Sequence, residues 1–171
     1  EMLHQQPEDI RQFLLRSSIL DVLSGSLCEA VVGLDTVSGY GTRMLNQLEH
    51  LNLFITPLDE QHQWFRFHNL FAEFLRHMLT ETHAAEMPLL HIRAATWFEQ
   101  HSNLDQAFKH GLASGDMEWA ANLMDRSIEV LIETGEVSTL THWIKHLPRK
   151  HIRQRPRLGL ALLVLLIRVA R

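Results

Sequence analysis

The chain has 171 residues, of which 46% are hydrophobic and 21% are charged, and its formal net charge is −4 at pH 7. These values are ordinary for a soluble globular protein, and the length allows one domain or two small ones with a real core. The single cysteine, Cys28, excludes an intramolecular disulfide and favours a reducing compartment, so we expect a cytoplasmic protein.

The charge is distributed unevenly along the chain. Residues 1–83 carry 5 Arg and no Lys against 11 acidic residues, whereas residues 84–171 carry 11 basic residues against 9 acidic ones. The change falls where a predicted helix ends shortly before Pro88. We therefore predict two domains, residues 1–83 and residues 84–171.

Three helices are predicted in the first 52 residues. The first begins near Pro7, because proline suits a first helical turn and acidic residues favour the positive end of the helix dipole. The second runs from about Ser26 to Val32, and the third covers Thr42 to Leu51. The apolar positions that recur at helical spacing, and that we expect to be buried, include Ile10, Phe13, Leu14, Ile19, Met44, Leu45, Leu48 and Leu51.

The hydrophobic period changes partway through residues 53–79, and the N-terminal half is organised around this change. Phe54–Leu58 is predicted to be a short strand closed by Pro57, and Trp64–Phe67 alternates as a second strand does. A polar turn separates them, and a helical period begins at Asn69. We expect Asn69 to cap this helix. His68 then lies between a hairpin and the positive end of a helix, where an imidazole would meet an anion with help from backbone amides.

Three helices, a two-stranded wing and a following helix predict a winged-helix domain, which is a variant of the helix-turn-helix plan. Many such domains bind DNA, and the third helix would be the one that reads it. That helix has Arg43 offset by Glu49 along with Asn46, Gln47 and His50, and it belongs to an acidic half of the chain. Affinity for DNA comes mainly from neutralising phosphates, so we favour a packing module over a DNA-binding domain.

The second half is predicted to be helical throughout. Short turns of Gly, Asn, Asp and Pro imply that neighbouring helices are antiparallel, and pairs that stack at a spacing of roughly 30 residues or more are typical of an α-solenoid. The predicted helices cover Pro88–His101, Asn103 or Asp105 to Ala113, Asp116–Glu133, Val137–Leu147 and the segment after Pro156, with Leu89 and Ile132 among the side chains expected inside.

The apolar run Leu158–Ile167 is far shorter than the roughly 20 residues that a membrane-spanning helix needs. We expect no membrane association and interpret the run as a core helix whose packing partner lies outside this chain. The alternative is a surface for self-association. The first residue is not methionine, which strengthens the expectation that the chain is part of a longer protein.

The sequence predicts no catalytic and no metal site. His142 and His146 have a spacing that suits Zn²⁺, but the segment lacks the glutamate of HExxH and a third ligand. Cys28 lies on an apolar helix face and is a poor candidate for a nucleophile. The basic run from Arg149 to Arg157 could contact nucleic acid, but a solvated turn is the favoured interpretation.

Residues 6–33, 44–79 and 91–124 closely resemble the middle of large LuxR-type transcriptional regulators similar to the maltose regulator MalT. The resemblance covers nearly the whole chain. It implies a winged-helix domain followed by the first helices of a TPR-like superhelix that senses an inducer. In that family an NTPase core of the STAND class lies upstream, and a helix-turn-helix that binds DNA lies downstream.

The resemblance also implies a role for His68. STAND proteins have a histidine after the second wing strand that contacts the terminal phosphate of ADP and holds a closed, inactive form. His68-Asn69-Leu70 fits that place, although the family commonly has an acidic residue or histidine where Asn69 stands. The chain has no GxxxxGK[ST] loop, so we expect no cofactor in the isolated chain and ATP or ADP only in the parent protein.

Two functions follow for the chain. In the first, it is the central part of an ATP-dependent activator that relays nucleotide and inducer state to DNA, with the upstream NTPase domain and the downstream repeats as partners. The parent protein would bind ATP and hydrolyse it slowly, whereas this chain is not an enzyme. In the second, the chain is a helical protein-interaction scaffold without a nucleotide link.

Overall fold

The structure, a computed structural model, describes residues 6–33 and 39–169, except for the side chains of residues 162 and 164–169. Contacts between Cα atoms divide the chain into two compact units, Glu1–Trp97 and Phe98–Arg171. Each unit has its own buried core, and each is described separately below.

The first unit begins with three helices, α1 (Glu8–Ser17), α2 (Gly25–Val32) and α3 (Tyr40–His50). Pro7 precedes α1, and two acidic residues lie in its first turn, as predicted. The Ser24 side chain caps α2 by accepting a hydrogen bond from the backbone N–H of Leu27 at 3.4 Å, and Gly33 ends it in the left-handed conformation. The predicted core positions that are buried are Ile10, Phe13, Leu14, Ile19, Met44, Leu45 and Leu48.

Helices α2 and α3 cross closely at two glycines. A Cβ atom on Gly41 would lie 2.1 Å from the carbonyl oxygen of Gly25, which is far inside a van der Waals contact. The backbone N–H of Gly41 also donates to a carboxylate oxygen of Glu29 at 2.8 Å. The crossing therefore depends on the missing side chains, because any Cβ would force the two backbones apart.

The wing consists of β1 (Ile55–Pro57) and β2 (Phe65–Phe67), which pair antiparallel with Thr56 opposite Arg66. Phe65 and Phe67 are buried and Arg66 between them is exposed, which confirms the predicted alternation. The backbones of Leu23 and Phe65 also exchange two hydrogen bonds, of 2.8 Å and 2.9 Å, so a third segment lies against the wing. The sequence had not predicted that bridge, because a single paired residue has no period to detect.

The chain leaves the wing as α4 (Asn69–His83), passes through a 3-10 turn at Ala84–Glu86 and continues as α5 (Met87–Gln100). Arg16 donates to a carboxylate oxygen of Glu86 at 3.0 Å, and Arg93 donates to the carbonyl oxygen of Val31 at 3.3 Å. Residues 84–97 therefore pack with the helices that precede them and belong to the first unit. The division between the two units falls within α5. The predicted domain boundary at residues 83 and 84 stays a prediction.

After α5, the second unit has four helices and then a fifth, of which only some side chains are described. They are α6 (Leu104–Ala113), α7 (Met117–Glu133), α8 (Val137–His146), α9 (Arg149–Arg153) and α10 (Pro156–Val169). Asn103 caps α6 through the backbone N–H of Gln106 at 3.2 Å, and Asp116 caps α7 through that of Trp119 at 2.9 Å. These capping side chains confirm the two predicted helix starts.

The core of this second unit is built on aromatic stacking. The rings of Phe108 and Trp143 lie 4.4 Å apart and nearly parallel, and the Trp143 indole N–H donates to a carboxylate oxygen of Asp105 at 3.2 Å. Both rings are almost completely buried. The indole thus ties α8 to the first turn of α6 while its only polar group is satisfied.

Several expectations were wrong in detail. His68, and not Asn69, is the residue that precedes α4, and its side chain makes no capping hydrogen bond. Leu51, Leu89 and Ile132 are exposed rather than buried. The basic run is not a plain turn, because α9 forms within it. Helical spacing identifies one face of a helix, but the neighbours that cover that face are set by tertiary packing.

The apolar run near the C-terminus lies on α10. Leu158 and Ala161 are buried, whereas Leu160 and Leu163 are exposed. The side chains of the remaining residues of the run, 162 and 164–167, lie outside the described part of the structure, and both interpretations of the run stay predictions. Among the described residues, no helix combines the length and the apolar character needed to cross a membrane.

Candidate functional site

The backbone of His68 is fixed on both sides at the end of the wing. Its N–H donates to the carbonyl oxygen of Phe54 at 2.8 Å, and its own carbonyl oxygen accepts from the N–H of Ala72 at 2.9 Å. The first bond extends the pairing of the wing strands, and the second belongs to the first turn of α4. His68 is therefore held where strand geometry changes to helix geometry, as the change of hydrophobic period predicted.

The His68 side chain points into solvent-accessible space. Its residue is exposed, its Nε2 atom lies 3.3 Å from the Thr56 hydroxyl, and its ring meets the Phe54 ring edge-on with 6.4 Å between centroids. One ring nitrogen is thus oriented by a hydroxyl across the wing. Among the described residues, the other nitrogen has no hydrogen-bond partner.

A cavity of about 800 Å³ opens beside this imidazole. Its wall is mainly apolar on the α4 side and mainly polar on the wing side. The lining residues are Phe54, Thr56, Arg66, His68, Asn69, Leu70, Phe71 and Phe74. The volume falls within the range of about 300–1,000 Å³ that is usual for small-molecule sites.

Arg66 is a residue of this site that the sequence reasoning did not select. It lies on β2 two positions before His68, whose backbone extends the pairing of that strand, so both side chains leave the same face of the wing. It lines the cavity, and within the described residues it has no carboxylate partner, unlike Arg76, which lies 3.4 Å from Asp21. The two-residue spacing from His68 was the signal that could have identified it.

The start of α4 adds backbone donors to the same place. The first amides of a helix have no acceptor within the helix, and their dipoles point towards an approaching anion. In the described part of the chain, the residue before α4 provides no side-chain cap, in contrast to the starts of α6 and α7. The site therefore combines an imidazole, a guanidinium and unpaired amides beside an aromatic wall.

The remaining candidates from the sequence are arranged differently. Cys28 is fully buried, and burial raises the pKa of its thiol well above the usual range, so the thiolate needed of a nucleophile is disfavoured. His142 and His146 are exposed with 4.3 Å between ring centroids, and the described residues include no cluster of three or more groups able to ligate a metal.

The wing tip is tied to the helix that would read DNA. The Nδ1 atom of His62 lies 2.8 Å and 3.0 Å from the two carboxylate oxygens of Glu49 on α3. Asp59 closes the turn that contains His62 by accepting from the backbone N–H groups of Gln63 and Trp64, each at 2.9 Å. A carboxylate therefore stands on α3 beside the wing, where it would repel a phosphate backbone.

Three helices, a short antiparallel wing and a helix that leaves the wing define a winged-helix domain, here followed by an array of helices. The chain belongs to the MalT winged helix domain family, whose model matches residues 1–88. This finding confirms the resemblance drawn from the sequence.

Individual relatives extend the similarity beyond residue 88. The chain is 34% identical over 157 residues to the serine/threonine-protein kinase PknK of Mycobacterium tuberculosis, covering 92% of this chain and 14% of that protein. It is 34% identical over 160 residues to the HTH-type transcriptional regulator MalT of Yersinia enterocolitica, covering 94% and 17%. It is 32% identical over 150 residues to MalT of Vibrio parahaemolyticus, covering 88% and 16%. The chain thus spans about a sixth of these relatives.

Proposed function

We propose that this chain is the central part of a cytoplasmic, ATP-dependent transcriptional regulator, in which the winged helix relays the nucleotide state of a neighbouring domain. The observation that carries the proposal is the exposed imidazole of His68 in the cavity at the start of α4. Two of the relatives above are named as transcriptional regulators, and a chain of the same family is a natural part of such a protein.

The chemistry of the site suits the terminal phosphate of ADP. An imidazole can donate a hydrogen bond to a phosphate oxygen in its neutral or its charged form, and an arginine binds phosphate through several N–H groups. Arg66 and the first amides of α4 lie beside His68, so one anion could be held by all three. A contact made in only one nucleotide state would stabilise that state and act as a latch.

The rest of the relay needs partners that this chain does not contain. Phe54, Leu70 and Phe74 are 40%, 82% and 46% exposed around the cavity, and an upstream NTPase domain that supplies the nucleotide would cover them. The helices of residues 84–171 would begin a TPR-like sensor for an inducer. DNA would be bound by a separate helix-turn-helix, which accords with the acidic charge of residues 1–83.

The test uses the full-length regulator and the substitution His68→Ala. We expect the purified variant to lose ADP that the unsubstituted protein retains, and to show raised transcription without inducer. His62→Ala is the matched control, because His62 is also an exposed wing histidine but does not line the cavity. If His68→Ala kept its ADP and its low basal activity, the latch would be wrong.

The second candidate is a helical interaction scaffold without a nucleotide link. The stacked, capped helices of the second unit favour it, since such arrays present extended binding surfaces. It would remain if His68→Ala had no effect on nucleotide retention. The similarity to a kinase gives no reason to propose kinase activity for this chain, because the match covers only 14% of that protein.

A further inference from the structure

The second unit has a groove between the end of α8 and α9 with an apolar floor and a basic rim. Leu147 and Ile152 on its floor are buried, and Ile144 beside them is half-buried. Lys145, Arg149 and Arg153, all exposed, complete the lining of a cavity of about 530 Å³. We name these six residues the basic groove.

The cations of the basic groove differ from their neighbours in having no internal partner. Arg155 donates to Glu118, to the side-chain oxygen of Asn122 at 2.6 Å and to the carbonyl oxygen of His151 at 2.9 Å. Arg157 pairs with Glu129 in the same unit. Within the described residues, the three cations of the basic groove have no such contact, and none of the side chains that line it is acidic.

Arg149 and Arg153 are four residues apart on α9, so two like charges face each other on one side of a short helix. That spacing is unfavourable for an isolated helix. An acidic ligand would remove the repulsion and would at the same time supply the missing counter-charges. The exposed cations therefore point to a negatively charged ligand.

The apolar floor decides which acidic ligand fits. A nucleic acid presents phosphates and would gain nothing from buried aliphatic side chains, and the aromatic rings on which single-stranded bases stack are absent from this lining. Of the basic run considered in the sequence, two arginines are already neutralised by Glu118 and Glu129. An amphipathic peptide, in contrast, presents apolar anchors between its charges.

We propose that the basic groove binds a short acidic segment of a partner protein whose aliphatic side chains pack on Leu147 and Ile152. The carboxylates of the segment pair with Lys145, Arg149 and Arg153 on the rim. This inference does not rest on the nucleotide role of His68, because it concerns a different unit and different residues.

The test is a fluorescence anisotropy titration of the 171-residue chain with a labelled peptide of about twelve residues, which is long enough to contain helical anchors at i, i+3, i+4 and i+7 with flanking residues. The peptide carries leucines at those positions and glutamates beside them. We expect saturable binding that weakens as salt is raised, because opposite charges at a rim are screened.

The decisive variant is Arg149→Glu with Arg153→Glu. We expect about tenfold weaker binding or more, since like charges across an interface are strongly unfavourable. The matched control is Lys150→Glu, which changes an exposed cation of the same helix that does not line the groove and should leave the affinity within about twofold. Far-UV circular dichroism checks that each variant keeps its helices.

Two further ligands distinguish an amphipathic acidic peptide from a purely electrostatic contact and from nucleic acid. A peptide with serine in place of each leucine should lose most of its affinity, and a short DNA duplex should not displace the original peptide. Equal binding by the serine peptide, displacement by DNA, or unchanged affinity of the double variant would each overturn the proposal. So would failure of the intact longer protein to bind a peptide that the 171-residue chain binds, because its own chain would then cover the groove.

Discussion

The starts of α4 and α7 show two ways in which this protein begins a helix. Asp116 caps α7 with its own carboxylate, whereas His68 precedes α4 without a capping hydrogen bond. The start of α7 is thus capped within the unit, whereas α4 starts beside a cavity without a side-chain cap. The difference teaches that a helix can be stabilised by its own sequence or left open where an external anion can complete it.

The comparison extends to the aromatic residues near the two helices. Beside α4, Phe54 and Phe74 are partly exposed around the cavity, whereas in the second unit Phe108 and Trp143 are stacked and buried. Side chains of the same chemical type therefore line an open cavity in one unit and form a buried core in the other. Substitutions at buried and at exposed positions can test this difference through the stability that each one loses.

The largest effect is expected for Trp143→Ala. The indole is 1% exposed, and removing it leaves a cavity and breaks its hydrogen bond to Asp105, so we expect a loss of about 3–5 kcal/mol in the free energy of unfolding. Urea denaturation followed by circular dichroism measures it. Trp64→Ala, at a tryptophan that is 37% exposed, should cost about 1–2 kcal/mol. Equal losses of stability in the two variants would contradict the distinction between exposed aromatic residues near the wing and buried ones in the second unit.

A smaller effect is expected for Gly41→Ala at the crossing of α2 and α3. The added Cβ would meet the backbone of Gly25 at 2.1 Å, and overpacking of this kind costs about 1–3 kcal/mol. Gly159→Ala is the control, because no described atom outside its own helix backbone lies within 4 Å of the added Cβ. Alanine has less backbone freedom than glycine in the unfolded chain, so Gly159→Ala should raise the free energy of unfolding by about 0.5–1 kcal/mol. Thermal denaturation should show a lower melting temperature for Gly41→Ala and a higher one for Gly159→Ala.

The comparison of helix starts is sharpened by Asp116→Ala and His68→Ala. The first removes a capping oxygen and should lower the free energy of unfolding by about 1 kcal/mol. The second removes an exposed side chain without a capping role and should change it by less than about 0.5 kcal/mol. A loss from His68→Ala as large as that from Asp116→Ala would make His68 a structural residue.

The smallest effect is a dependence of stability on pH that arises at Glu118. Hydrogen bonds from Arg155 and then from His151 lower the pKa of its carboxyl from the ordinary value of 4.5. Its contribution is therefore fully present above pH 4.5 and is lost as the pH falls through the lower folded pKa. Glu118→Gln should lose less stability between neutral and acid pH than the unsubstituted chain, as denaturation at several pH values would show.

The control for this pH effect is Glu133→Gln on the same helix. Glu133 is exposed and, within the described residues, has no ion-pair partner, so its substitution should leave the acid-induced loss of stability unchanged. If both variants flattened the pH dependence equally, the hydrogen bonds to Glu118 would not be its source. The effect should also shrink at high salt, since the site is exposed.

Local signals in the sequence predicted much of what lies around the site. The alternation in Trp64–Phe67 and the helical period from Asn69 placed the wing and α4, and therefore placed His68 between them. Asn103, Asp116 and the glycines after their helices predicted the helix ends in the second half. These features depend on contacts within a few residues, so one sequence contains the information.

The tertiary structure alone decided which surfaces remain open. Periodicity could not show that Leu70 is exposed while Leu75 is buried, nor that Arg66 joins His68 at one cavity. It also could not show that Arg155 is paired while Arg149 has no partner among the described side chains. Burial and pairing depend on residues far apart in the chain, whereas helix and strand periods depend on near neighbours. Sequence thus determined the elements, and packing determined which of their side chains stay exposed and unpaired in the described part of the chain.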